Sequence, residues 1–205
     1  MSYKNTLVKF IATISIALSL LAFVSCSEAV PAEEPEFARI IPIADNFAYP
    51  VGSSEYVTQA RDKKDEWYNA QDFGENNHLG EDWNKNSGGN TDCGEPVYAA
   101  ANGTITYAAD AGPGWGNVVI ITHTLPNRSE VQTLYGHLQE MTRTSGEVNK
   151  REKIGSIGNA NGTYLCHLHF ELREKKSPLW DQIGPGYSPD RTGFLDPSDF
   201  IDSHR

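Results

Sequence analysis

The chain has 205 residues and a formal net charge of −10, from 17 lysine and arginine residues against 27 aspartate and glutamate residues. A chain this acidic argues against nucleic acid as a partner, because binding to phosphates requires a basic surface. The length is sufficient for one domain with a substantial hydrophobic core and short appendages.

Residues 1–26 predict a targeting segment. Lys4 and Lys9 precede an apolar run at residues 10–24, which is too short for a membrane span. The run ends at a small residue followed by Cys26, and so it resembles a bacterial lipoprotein signal, in which the cysteine is acylated. An ordinary cleaved secretory signal is the alternative. Either interpretation predicts export to the periplasm or cell surface, with membrane contact only through a lipid on Cys26.

Residues 27–45 predict an acidic tether. Glutamates mix with prolines here and few apolar residues are present, so the segment cannot bury enough surface to fold by itself. We expect it to hold a folded domain, residues 46–205, away from a membrane surface.

The rest of the chain predicts a mainly β fold, an antiparallel sheet or sandwich with long loops and few short helices. Short runs rich in Val, Ile, Thr and Tyr recur at roughly 8–12-residue spacing between turn residues. These runs are residues 96–100, 104–108, 118–123, 131–137, 153–158 and 167–172. Asn102-Gly103 predicts a hairpin turn between the first two runs. A short helix or a loop is expected at residues 56–68.

The run at residues 167–172 alternates polar and apolar side chains, which is typical of a strand. Successive side chains of a strand point to opposite faces. His167, His169 and Glu171 are therefore expected on one face, and their apolar neighbours on the other. Two histidines side by side on one strand can supply half of a metal site, although an ordinary strand can also carry such a pair.

Other histidines and an aspartate supply the remaining groups. His78 and Asp82 are four residues apart, and Gly80 between them disfavours a helix, so we expect an extended segment there. His137 ends another predicted strand. Imidazole and carboxylate ligands suit zinc, and three protein ligands leave one position open for water. Further histidines nearby can then act as acids or bases.

Three motifs, in this order, resemble the lysostaphin-type zinc endopeptidases that cut peptidoglycan cross-links. The motifs are His78-Leu79-Gly80-Glu81-Asp82, Tyr135-Gly136-His137-Leu138 and His167-Leu168-His169-Phe170-Glu171. Residues 96–103, residues 116–123 and Asp196-Pro197 also resemble parts of that family.

The resemblance implies that His78, Asp82 and His169 bind Zn²⁺ and that His137 and His167 are catalytic residues beside the metal. One of the two catalytic histidines would act as general base on the zinc-bound water, and the other would stabilise the oxyanion or orient the water. The implied activity is hydrolysis of peptide bonds in peptidoglycan cross-links. The sequence does not distinguish which of His137 and His167 takes which role.

Several neighbouring residues have two possible roles. His123 is interpreted as structural, at the end of a core strand. Glu171 could support the metal site or could be a solvent-facing strand carboxylate. Trp83, Trp115 and Tyr164 flank the motifs and could line a substrate groove or pack in the core.

If Cys26 carries lipid, Cys93 and Cys166 are the two cysteines that remain, and the predicted compartment is oxidising. A disulfide between them would tie the loop before residues 96–98 to the histidine strand. Two free thiols, or a cysteine acting as a metal ligand, are the alternatives.

Two other functions remain open. The domain could bind peptidoglycan or activate a partner hydrolase without catalysis, although the complete set of implied ligands argues against this. It could also be a zinc peptidase that acts on soluble peptides. The sequence identifies neither the bond that is cut nor a regulatory envelope protein as partner.

Overall fold

The computed structural model describes residues 41–52 and 66–205. The predicted signal peptide with Cys26 and most of the predicted tether lie outside these residues, as does the greater part of the predicted helix or loop at residues 56–68. Among the helices in the two described stretches, none is long and apolar enough to cross a bilayer.

The described residues form a mainly β fold, which confirms the predicted fold class. The strands are β1 (Trp67–Gln71), β2 (Glu81–Lys85), β3 (Pro96–Tyr98), β4 (Gly103–Asp110), β5 (Asn117–Thr124), β6 (Glu130–Met141), β7 (Gly146–Val148), β8 (Lys153–Ile157), β9 (Leu168–Glu174) and β10 (Phe194–Leu195). The helical segments are a 3-10 turn at Glu75–Asn77 and the helix α1 at Pro197–Ser203.

The named strands form one antiparallel sheet with β9 and β6 near its middle. The main strand order is β1-β2-β9-β6-β5-β4-β7, while β10 also pairs with β9, and β8 joins β6 to β3. β9 therefore lies between β2 and β6. These are the three strands on which, or next to which, the three histidine motifs occur.

The sheet buries apolar side chains on both faces. In β5, Val119 and Ile121 join the larger core together with Leu168 and Phe170 of β9. Val118 and Ile120, which alternate with them, pack on the other face with Leu134 of β6. Burial of a side chain of this size stabilises the fold by about 1.5–3 kcal/mol. The central strands are therefore rigid supports for the polar side chains that they carry.

The predicted hairpin at Asn102-Gly103 is not formed. β3 pairs with β8, and β4 pairs with β5 and β7. A two-residue type I′ turn needs a positive φ at both central residues, and neither Asn102 nor Gly103 has one. Asn102 instead makes tertiary contacts, because its side-chain Nδ2 donates to Ile43 O and its side-chain oxygen accepts from the Lys150 backbone amide.

Two local features differ from the sequence-based expectation or add to it. The end of the expected helix or loop is a strand, since Trp67 pairs with Lys85 at the start of β1.

α1 begins with two strong start signals, an aspartate N-cap and a proline in the first turn. Asp196 accepts a hydrogen bond from the Asp199 amide at 3.0 Å.

Candidate metal centre and active site

Three side chains from distant parts of the chain bring one donor atom each to the same point. His78 Nε2 lies 3.0 Å from His169 Nδ1 and 3.4 Å from Asp82 Oδ1, and His169 Nδ1 lies 3.1 Å from Asp82 Oδ1. In the part of the chain that the structure describes, this is the group of His, Cys, Asp and Glu side chains that could hold a metal ion. These are the residues that the resemblance implied as ligands.

The register of two strands and a glycine produce this convergence. Asp82 on β2 lies directly opposite His169 on β9. His78 precedes β2, and Gly80 lets the chain pass close to β9, because a Cβ at Gly80 would lie 2.4 Å from Phe170 O. Any larger residue at this position would push the His78 segment away from the strand that carries His169.

The donor set fits a metal cation. Zinc holds ligands at about 2.0–2.1 Å, so the ligands of a tetrahedral site lie about 3.3 Å apart, close to the three separations observed. Without a cation, burial would lower the pKa of His169, but hydrogen bonds with Asp82 and Glu171 outweigh it and raise the pKa to about 9. Although burial opposes ionisation of Asp82, hydrogen bonds with His169 and His78 lower its pKa. Such a cluster of acceptors favours a positive charge at its centre.

A buried carboxylate and a buried arginine support His169 from behind. His169 Nε2 donates to Glu171 Oε1 at 3.0 Å, which leaves Nδ1 directed at the donor cluster. Glu171 is fully buried and also accepts from Arg173 Nε at 2.9 Å. The alternative role of Glu171 as a solvent-facing carboxylate is therefore excluded.

His137 is presented by an irregular segment of β6. The pairing register between β5 and β6 shifts there, and His137 has a φ of +63°, which is unusual for a residue with a side chain. Its Nδ1 donates to Trp115 O at 3.1 Å and leaves Nε2 as the acceptor nitrogen. Burial, with the charges of His169 and His167, lowers the pKa of His137 to about 3.

His167 lies just before β9, beside His137. The centroids of the two imidazole rings are 4.7 Å apart. His167 Nδ1 donates to Leu165 O at 2.8 Å, and its Nε2 lies 3.8 Å from Asp82 Oδ2. Both histidines thus have Nδ1 bound to a backbone carbonyl and Nε2 available beside the donor cluster.

Asp82, His137, His167 and His169 line one cleft with a volume of about 250 Å³, and His78 is fully buried beside it. Its lining residues are Asp82, Pro113, Gly114, Trp115, His137, Tyr164, His167, His169, Pro185, Gly186 and Tyr187. Trp115 and Tyr164 therefore take the groove-lining role that was one of their two predicted roles. Trp83 does not, because it is fully buried in the core, where its Nε1 donates to Glu81 Oε2.

Two important residues were not identified from the sequence. Tyr187, in the long loop after β9, stacks on His78 with ring centroids 4.8 Å apart, and its hydroxyl donates to Gln71. No sequence pattern pointed to it. Arg173 could have been found, because it continues the period-2 alternation of His167, His169 and Glu171 by one further step.

The other two histidines lie outside the cleft. His123 is fully buried, with Nδ1 donating to Asn102 O and Nε2 2.8 Å from the Thr133 hydroxyl, in agreement with its predicted structural role. Burial lowers the pKa of His123 to about 4. His204 stacks on Phe200 at the end of α1.

Cys93 and Cys166 form a disulfide bond, which decides between the three possibilities left by the sequence. Since both sulfurs are in the bond, neither cysteine is a free thiol or a metal ligand. The bond joins the loop after β2 to the residue immediately before His167.

A family model described as peptidase family M23 matches residues 77–180, just over half of the chain. The chain belongs to peptidase family M23. This membership confirms the resemblance to lysostaphin-type peptidases seen in the sequence. The matched residues contain the donor cluster and both further histidines of the cleft.

Curated relatives match this M23 domain over part of the chain. The DD-carboxypeptidase/endopeptidase Mpg of Neisseria meningitidis is 38% identical over 86 residues, which are 42% of this chain and 19% of that protein. Lipoprotein NlpD of Yersinia enterocolitica is 39% identical over 83 residues, 40% of this chain and 80% of that protein. The murein hydrolase activator NlpD of Escherichia coli is 36% identical over 83 residues, 40% of this chain and 21% of that protein. The chain thus spans only about a fifth of the length of the Neisseria and Escherichia relatives.

Solved structures are similar at a lower level. The catalytic domain of the peptidase lysostaphin from Staphylococcus simulans has a TM-score of 0.45 and 21% identity, covering 77% of this chain and 92% of that chain. A zinc-containing peptidase from Vibrio cholerae has a TM-score of 0.45 and 22% identity, covering 73% of this chain and 41% of that chain. Neither likeness is close enough to support an inference about function.

Proposed function

We propose that this M23 domain is a zinc-dependent endopeptidase that hydrolyses peptide bonds in peptidoglycan cross-links. The observation that carries the proposal is the convergence of three donor atoms beside two further imidazoles, with four of these five side chains lining one cleft. His78, Asp82 and His169 would hold the Zn²⁺, on which M23 peptidases depend. When bound, the ion lowers the pKa of a water molecule and polarises the scissile carbonyl.

The chain's own histidines supply the proton transfers. In both His137 and His167, Nδ1–H donates a hydrogen bond to a backbone carbonyl, so the neutral ring has its lone pair on Nε2. Either ring can accept the proton of the attacking water at Nε2 and then return it to the leaving amine. A ring that has become protonated can also stabilise negative charge on the former carbonyl oxygen.

The support around the donor atoms suits catalysis. Glu171 and Arg173 hold His169 in one orientation, and Gly80 keeps the His78 segment close to β9. Outer partners of this kind maintain the geometry and basicity of metal-binding histidines. The site is therefore organised before substrate arrives, which lowers the cost of positioning the reacting groups.

Relatives support a cell-wall substrate and an exported, lipid-anchored protein. Mpg is named a DD-carboxypeptidase/endopeptidase, and two NlpD relatives, from Yersinia enterocolitica and Pseudomonas aeruginosa, are named lipoproteins. We accordingly propose peptidoglycan peptides as substrate, and export with a lipid on Cys26 as the attachment to a membrane.

A second candidate function is activation of a separate peptidoglycan hydrolase. The observation that favours it is the name murein hydrolase activator carried by NlpD relatives of 36% identity. The complete set of three donor residues favours catalysis by the chain itself, as do the two histidines with an available Nε2. Binding to a partner hydrolase requires neither feature. A zinc peptidase acting on soluble peptides would have the same site, and only its substrates would differ.

The test is digestion of purified peptidoglycan sacculi by the full-length chain in detergent. Parallel samples receive a chelator, or a chelator followed by excess zinc, and the released muropeptides are analysed by mass spectrometry. We expect loss of cross-linked dimers that the chelator abolishes and zinc restores, and the product masses identify the bond. Absence of release from a chain that contains one zinc ion would exclude cleavage by the chain alone. Stimulation of an added amidase under those conditions would then support the activator function.

A further inference from the structure

The residue immediately before His167 is held at three points, two of them in the loop after β2 and one on β2 itself. The sulfur of Cys166 is bonded to Cys93, its amide donates to Asn90 Oδ1 at 2.9 Å, and its carbonyl accepts from Asn84 Nδ2 at 3.2 Å. We call these three links the Cys166 clamp. A backbone position that is constrained through its amide, its carbonyl and its side chain has little freedom to move.

The clamp is itself attached to the core of the sheet. Asn84 belongs to β2, and its side-chain amide also donates to Asp92 Oδ2 at 3.1 Å. Asp92 is 1% exposed, and this bond is partly buried. At the other end of the loop, the Gly94 amide donates to Ile157 O of β8 at 2.8 Å. Cys166 is therefore held against two strands rather than against a free surface loop.

The two residues before Cys166 are exposed. Tyr164 is 47% exposed and Leu165 is 63% exposed. Leu165 nevertheless supplies the carbonyl that accepts from His167 Nδ1 and so selects the tautomer with an available Nε2. The carbonyl that orients His167 thus belongs to an exposed residue, and the adjacent Cys166 is the point at which that residue is attached to the core.

We infer that the Cys166 clamp positions His167, with Cys93, Cys166 and Asn90 acting as positioning residues that never touch the substrate. The inference rests on the proposed function only where it assigns His167 a part in turnover. The disulfide then contributes to catalysis by keeping Leu165 O and the His167 backbone in one arrangement. Its loss would leave the zinc-binding groups in place and release the ring of His167.

The first test uses the double variant Cys93→Ser/Cys166→Ser in the full-length chain. Its substrate is soluble muropeptide dimers, prepared from peptidoglycan with a muramidase. We expect unchanged zinc content and KM within about twofold, with kcat lowered about 10- to 100-fold, the usual effect of misplacing a reacting group by about 1 Å. Val148→Ala, a core truncation on the edge strand β7, controls for a general loss of stability. A double variant with wild-type kcat, or one that loses zinc, would overturn the inference.

A second variant tests the clamp without removing the disulfide. Asn90→Ala deletes the acceptor for the Cys166 amide, whereas Asn90→Asp keeps an oxygen at that position. We expect kcat of Asn90→Ala to fall about fivefold, the usual effect of one lost hydrogen bond. Asn90→Asp should retain most of the activity, and Ser87→Ala in the same loop should be neutral. Equal activity of Asn90→Ala and Asn90→Asp would contradict the role of this bond.

The third measurement does not depend on activity. ¹⁵N spectra of the histidine side chains, with His167→Gln used for assignment, report the protonation of each ring nitrogen. We expect one Nδ1–H tautomer for His167 in the wild type, and mixed tautomers after reduction with a phosphine or in the double variant. If this change occurs in a protein that does not cleave muropeptides, the positioning stands and the proposed function fails. An identical His167 signal in both proteins would refute the positioning.

Discussion

Arg173 and Glu171 form a fully buried ion pair directly behind His169. Arg173 Nε donates to one oxygen of Glu171, and the other oxygen accepts from His169 Nε2. Arg173 Nη1 also donates to Leu179 O at 2.8 Å and to Gln182 O at 2.5 Å. The pair therefore connects the donor cluster to the long loop after β9, which also carries the cleft residue Tyr187.

The charge of Glu171 should strengthen metal binding through His169. In Glu171→Gln the amide oxygen can still accept from His169 Nε2, but the negative charge that makes the ring a stronger ligand is lost. We expect zinc affinity to fall about 10- to 100-fold, as is usual for outer partners of metal-binding histidines. Competition with a chromophoric zinc chelator measures the change. Glu174→Gln, on the same strand but in a surface pair with Lys176, should bind zinc like the wild type.

Removal of Arg173 should destabilise the fold. Arg173→Met removes one of the two positively charged partners of the buried Glu171 carboxylate and leaves only His169, so we expect the free energy of unfolding to fall, by at most about 3–5 kcal/mol. The double variant Glu171→Gln/Arg173→Met removes both charges and should recover part of that loss. Urea unfolding in the presence of a chelator measures all three proteins. A single variant as stable as the wild type would show that the pair contributes no net stability.

Metal content should separate the donor residues from the two neighbouring histidines. Asp82→Ala and His169→Ala are expected to lose zinc, because each removes one of three donor atoms. His137→Ala and His167→Ala should keep one zinc per chain and lose turnover about 10²- to 10⁴-fold, the range for a missing acid–base group. Elemental analysis after dialysis, together with muropeptide release, gives both values. Full zinc in His169→Ala with none in His167→Ala would reverse the assignment.

Tyr187 should contribute to substrate binding through its ring rather than its hydroxyl. Tyr187→Ala opens the cleft wall and uncovers His78, so we expect KM for muropeptide dimers to rise about tenfold, the effect of losing one well-packed aromatic contact. Tyr187→Phe keeps the ring and loses the hydrogen bond to Gln71, and it should behave like the wild type. Steady-state kinetics on the two variants decides the question. A defect in Tyr187→Phe equal to that of Tyr187→Ala would instead assign the effect to the hydroxyl.

His123 should make the stability of the fold depend on pH. Because burial lowers its pKa to about 4 in the folded protein, from an ordinary value of 6.5, the unfolded chain binds more protons between these values. This contribution to the free energy of unfolding is complete above pH 6.5. It decreases as the pH falls below 6.5 and is lost once the pH has fallen through 4, which amounts to about 3 kcal/mol in total. We expect His123→Gln to be less stable than the wild type at pH 7 and to lose this part of the pH dependence. Urea unfolding of the metal-free proteins at several pH values gives the difference, with His204→Gln as the matched loss of a histidine.

The sequence predicted local features well where one face of a strand is buried. The alternation at residues 167–172 corresponds to β9, which begins one residue later and extends to Glu174, and the apolar runs at residues 118–123 and 131–137 correspond to β5 and β6. The turn at Asn102-Gly103 was predicted wrongly, because tertiary bonds to Ile43 and Lys150 use the asparagine side chain instead. Turn propensity is a weak preference, and contacts of this kind override it.

From the sequence alone, the resemblance of three motifs indicated the family, the pattern of short apolar runs predicted the mainly β fold, and the motifs named the three donor residues and the two further histidines. Only the tertiary structure decided how those groups meet. His78 and His169 are 91 positions apart, and their contact depends on the pairing of Asp82 with His169 across β2 and β9. The Cys93–Cys166 bond and the place of Tyr187 against His78 were likewise decided by packing. The physical reason is that periodicity records which face of a strand is buried, whereas strand order and loop placement depend on the packing of the whole domain.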